Sequence, residues 1–93
     1  MRIIGEIEHP TLKITVFKMG ERVSVKFENE GYEQTFKLGQ DEHLASLSGV
    51  QQWVDATLME EVQSTFQQMH RARLAARTRA FPPAEAVVFE DII

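Results

Sequence analysis

Residues 50–81, VQQWVDATLMEEVQSTFQQMHRARLAARTRAF, contain neither glycine nor proline, and Pro82-Pro83 closes them. Proline removes a backbone donor and clashes with the preceding turn, so a helix entering this stretch is first forced to stop at its end. At 100° per residue, Val50, Val54, Leu58, Val62, Met69, Ala72, Ala76 and Ala80 fall on one stripe, flanked by Phe66. Just upstream, Ser48-Gly49-Val50-Gln51 matches a capping box, in which the serine and glutamine side chains satisfy free N–H groups of a first turn. The pattern predicts one long helix over 50–80. Residues 39–49 are then a connection, with a helical turn or short helix over Asp41–Leu47.

Upstream, residues 1–38 change period. Apolar residues alternate with polar ones between turn residues, as in short antiparallel strands with one buried face. Arg2–Glu8 ends at His9-Pro10, since proline cannot donate to a ladder. Leu12–Met19 carries Leu12, Ile14 and Val16 on one face, and Phe17 and Met19 make its second face apolar too, as expected of a strand covered on both sides. Gly20-Glu21 suits a two-residue type II′ hairpin. Arg22–Glu28 points Val23, Val25 and Phe27 inward, Asn29-Glu30-Gly31 supplies residues that tolerate positive φ, and Tyr32–Leu38 returns around Gln34. The expected fold is α+β: a four-stranded antiparallel meander followed by one long C-terminal helix, all in a single domain.

The predicted helix is about 45 Å long, whereas strands of about seven residues span only about 23 Å. It therefore outruns its sheet, and Ala72, Ala76 and Ala80 continue the stripe on the overhang with residues small enough for another backbone to come close. A second copy of the chain is the simplest cover, because closed twofold symmetry is the commonest solution among soluble oligomers. In the competing reading the helix bends or frays after Met69, and the alanines reflect helix propensity alone. Trp53 and Leu74 fall off the stripe, which favours a second buried contact. Beyond Pro82-Pro83, the apolar tail in 81–93, with Val87, Val88, Phe89, Ile92 and Ile93, is expected as an edge strand, in dimer packing, or as a docking peptide for another protein.

Arg71, Arg73, Arg77 and Arg79 gather near the helix end in a chain of formal net charge -4. As a site they offer anion contacts, since guanidinium forks match phosphate oxygens. As plain helix electrostatics they complement the macrodipole, with the acids Asp55, Glu60 and Glu61 in the first half. Acidic and basic halves also suit antiparallel pairing of two copies. A strands-then-helix order is similar to that of single-stranded DNA-binding coactivator-like domains that dimerise through their helices. This likeness is one of element order, without a shared motif. On the sheet, Lys13, Lys26 and Lys37 alternate with Glu28 and Glu33, where such binding needs a basic and aromatic surface.

Ninety-three residues, 43% hydrophobic and 26% charged, make one small globular domain. Without cysteine there are neither disulfides nor thiolate metal sites. The N-terminus places an acid after two apolar residues, unlike the apolar core of a signal peptide, so a cytoplasmic protein is expected. His9, His43 and His70 do not share metal-ligand spacing, and Asp41-Glu42-His43 reads as a capped loop. Ser24, Ser46, Ser48 and Ser64 have no recognisable base or oxyanion surround, and the scattered glycines form no phosphate cradle. The expectation is a non-enzymatic homodimeric interaction, regulatory or adaptor module without cofactor, metal or membrane. Its contacts are Arg73, Arg77, Ala72, Ala76, Ala80 and Phe89. The alternatives are a nucleic-acid binder using the basic helix end, and a small-ligand domain with a pocket between sheet and helix.

Overall fold

The computed structural model describes residues 1–83; the tail from Ala84 to Ile93, with the strand or docking role expected of it, lies outside them. Strands β1 (Arg2–Ile7), β2 (Lys13–Met19), β3 (Arg22–Glu28) and β4 (Glu33–Gly39) form one antiparallel sheet in the order β1-β2-β3-β4. The meander follows from its turns. Gly20 has φ 61 and no non-glycine residue has positive φ, so the Gly20-Glu21 loop has the single positive φ of a type II′ turn.

The second turn is built differently from the expectation. The Asn29 side chain accepts from Gly31 N at 2.9 Å and Tyr32 N at 2.8 Å, which reverses the chain without positive φ. The other positive φ falls at Gly39, φ 71, where the chain leaves β4. At the β1–β2 connection His9 Nδ1 accepts from Thr11 N at 3.2 Å and Leu12 N at 3.1 Å, which holds the bend before Lys13.

Alternation sorts the two faces. Ile14 pairs with Phe27 and Val16 with Val25, and all four are buried on the helix side. Phe27 meets Phe36 edge to face at 5.6 Å between centroids. On the outer face Lys26 lies over the Phe17 ring at 5.4 Å, and Thr15, whose register partners are Glu6 and Lys26, is 3% exposed. The helix-side face of β2 is buried, while its second face is covered only in part: Thr15 is buried there and Met19 stays 56% exposed.

The helical half comes in two pieces, a correction to the single helix over 50–80. A 3-10 turn at Glu42–Leu44, capped by Asp41, leads to α1 (Leu47–Trp53) and then α2 (Ala56–Ala80). Ser46 is the α1 N-cap, accepting from Gly49 N at 3.2 Å, so the capping box on Ser48 is replaced by a cap two residues earlier. Asp55 breaks the run: its backbone is extended and its carboxylate accepts from Leu58 N at 2.8 Å. Val54 before this cap and Met59 after it both pack against the core, the arrangement of a hydrophobic staple. The break has a packing reason. α1 crosses the sheet from Leu47, whose side chain lies against Gly5 of β1, to Trp53, whose ring meets Phe36 of β4 at 5.4 Å. An unbroken helix from Val50 cannot serve both that crossing and the line of α2. Trp53 is accordingly half-buried on the sheet, and needs no second contact.

α2 runs along the β4 side. Gln34 donates to the Val62 carbonyl at 2.9 Å, and Val62 and Phe66 are buried against Val50 and the sheet. From His70 onward every described residue is exposed.

Candidate interaction surface

The last residues of α2 that touch the sheet define where its free segment begins. Tyr32, at the start of β4, meets His70 through a 2.9 Å contact from Oη to Nδ1, with the rings edge to face at 5.9 Å. Arg73 follows one turn on, its guanidinium carbon 5.9 Å from the Tyr32 ring centroid. Beyond it, His70–Ala80 projects past the sheet as an arm about 17 Å long at 1.5 Å per residue. The arm ends in its own lock: Phe81 N donates to the Arg77 carbonyl at 2.8 Å, and Arg77 lies 5.6 Å from the Phe81 ring centroid.

Arm and sheet end together make an open notch. Its walls are Thr11, Asn29, Glu30, Gly31 and Tyr32 on the sheet and His70 and Arg73 on the helix. Taking Val62 as the centre of the buried face, Arg73, Ala76, Arg77 and Ala80 lie within about 60° of it and face the notch side, while Arg71 points away and Ala72 and Arg79 lie to one flank. The expected contact residues are therefore split: Arg73, Arg77, Ala76 and Ala80 share one face of the arm, and Ala72, Arg71 and Arg79 do not. Phe89 lies outside the described residues. Leu74, 50% exposed, and Phe81, 68% exposed, are the large apolar side chains the arm leaves in water.

Charge is segregated along the same line. Residues 62–83 carry four arginines and no acid, while residues 1–61 carry eleven acids against six Lys and Arg. Four acids lie at this end of the sheet, Glu8, Glu28, Glu30 and Glu33; Glu30 lines the notch, while Glu28 and Glu33 are on the outer face with Lys26. Glu28 and Glu33 stand directly opposite each other across β3 and β4, an unfavourable like-charge pairing. Among the described residues the one ion pair is Lys26–Glu28 at 3.5 Å, so the arm's arginines have no carboxylate partner there.

Other chemistries find little footing. No cluster of three metal-ligating side chains occurs among the described residues. Between sheet and helices, Phe27, Val25, Val50, Val62 and Phe66 form the buried core. An apolar groove lies instead on the outer sheet face, lined by Met1, Phe17 and Met19 with Arg22 and Lys37. No described helix is long and apolar enough to cross a membrane.

The Tyr32–His70 contact has no signature in the sequence, because no local pattern joins residues so far apart. Comparison with protein-family models, curated proteins and solved structures found no match to the chain.

Proposed function

We propose that the protein is a non-enzymatic homodimeric interaction module, of regulatory or adaptor type, that assembles through the arm of α2. One observation carries the reading: eleven helical residues, His70–Ala80, leave the sheet with Leu74 and Phe81 uncovered. An isolated helix of that length is marginal in water, and tertiary packing normally supplies its stability. The competing expectation of a bend after Met69 is not needed, since α2 continues unbroken to Ala80.

The second reading, a nucleic-acid binder, draws on the same four arginines in an acid-free stretch. The carboxylates at the sheet end weaken it, because they stand beside the arm's base and repel a phosphate backbone. Light scattering across micromolar concentrations tests the main reading. The expected mass is twice the 10.7 kDa of the chain, unchanged by added oligonucleotide. A mass of 10.7 kDa throughout, with salt-sensitive oligonucleotide binding lost in Arg73→Ala/Arg77→Ala, favours the second reading instead.

A further inference from the structure

The shape and charge of the arm specify where on a second copy it seats. Each chain is a hook: an arm and, at its base, a sheet end with a notch between. Two hooks related by a twofold axis interlock when the arms run antiparallel with their notch sides facing. The tip of each then meets the sheet end of the other. We propose that Arg77 of one copy seats against Glu30 of the second, with Phe81 entering the second copy's notch beside Tyr32. This rests on the homodimeric reading above and adds the surface that receives the arm.

Two observations converge on it. The first is repulsion. Two arms side by side bring eight arginines together without an acid between Val62 and Pro83, so their approach needs carboxylates from elsewhere. The second is direction. Arg73 lies over Tyr32, which fixes the arm's lower side toward the sheet end. Glu60 and Glu61, the acids within α2, lie about 160° and 100° from the centre of the buried face and cannot serve a partner on that side. Glu30, exposed and lining the notch, can.

The test uses complementary charge reversals in the full chain, Arg77→Glu on the arm and Glu30→Lys on the sheet end, with mass followed by sedimentation. Each variant alone faces like against like at both reciprocal contacts, so its self-association weakens at least about tenfold relative to wild type. Mixed in equal amounts, one copy of each meets opposite charge at both contacts, and the dimer returns. That return also shows that both variants fold. Should either variant fail to fold by circular dichroism, Glu30→Gln and a salt titration of wild type take its place, each expected to weaken association. If wild type is dimeric and sheet-end substitution leaves its association unchanged, the proposed seat is overturned while the homodimeric reading stands. If wild type is monomeric at every concentration, both fall.

Discussion

The two halves of α2 have the same helical continuity and opposite surroundings. Ala56–Met69 lays Leu58, Val62, Phe66 and Met69 on the sheet, ties its backbone to Gln34, and starts from a capped end at Asp55. His70–Ala80 meets Tyr32 through His70 and Arg73 at its base and then has water on every side. Apolar burial stabilises by about 25 cal/mol per Å², so the first half draws its order from the core, and the second has no equivalent within one chain. Under the proposed function, assembly supplies the cover that the second half lacks.

That contrast sets the sizes of substitution effects. Phe27→Ala empties the centre of the body, where the ring is fully buried against Phe36, and is expected to lower unfolding free energy by about 3–5 kcal/mol in urea titration. Leu74→Ala on the arm should leave unfolding of the dilute chain within about 0.5 kcal/mol of wild type. Equal losses from the two would erase the distinction between body and arm.

Gly49→Ala probes the joint between connection and α1. An added Cβ there clashes with the His43 carbonyl oxygen, a backbone atom that cannot swing aside, so a loss of about 1–3 kcal/mol is expected in thermal melts. Unchanged stability would mean that α1 is not pressed against the 3-10 turn. Asp55→Ala removes the cap on Leu58 N, and about 1 kcal/mol of stability should go with it. The smallest expected change is a gain. Thr15 Oγ1 is buried without a hydrogen-bond partner among the described residues, and Thr15→Val, keeping the branched shape, should stabilise by up to about 1 kcal/mol. A loss there would reveal a partner for the hydroxyl.

Much of this body was legible in the sequence because its signals are local. Val23, Val25 and Phe27 alternate cleanly against Ser24, Lys26 and Glu28, and Gly20 sits where a type II′ turn needs it. The two-piece helix was hidden for a physical reason. Val50, Val54 and Leu58 stay in phase on a wheel whether or not the chain breaks between them, because α1 and α2 face the same core. Asp55 was taken as an acid suited to the helix dipole, although aspartate between Val54 and Met59 also fits a cap with its staple. Ser46 and Ser48 are equally good caps by composition, and packing of Leu47 on Gly5 decides between them. The Tyr32–His70–Arg73 group joins a hairpin to the fifth turn of a distant helix, and so becomes visible only with the topology. The overhang itself was legible from lengths alone, since strands and helix rise at different rates per residue.

Hydrogen exchange followed residue by residue in dilute and concentrated solution compares the two halves most directly. Amides of 58–69 should be protected equally at both concentrations, while those of 71–80 should exchange quickly when dilute and slowly when concentrated, as a second copy covers the arm. Fast exchange of 71–80 at every concentration would contradict the account, because the arm would then have no cover from its own kind.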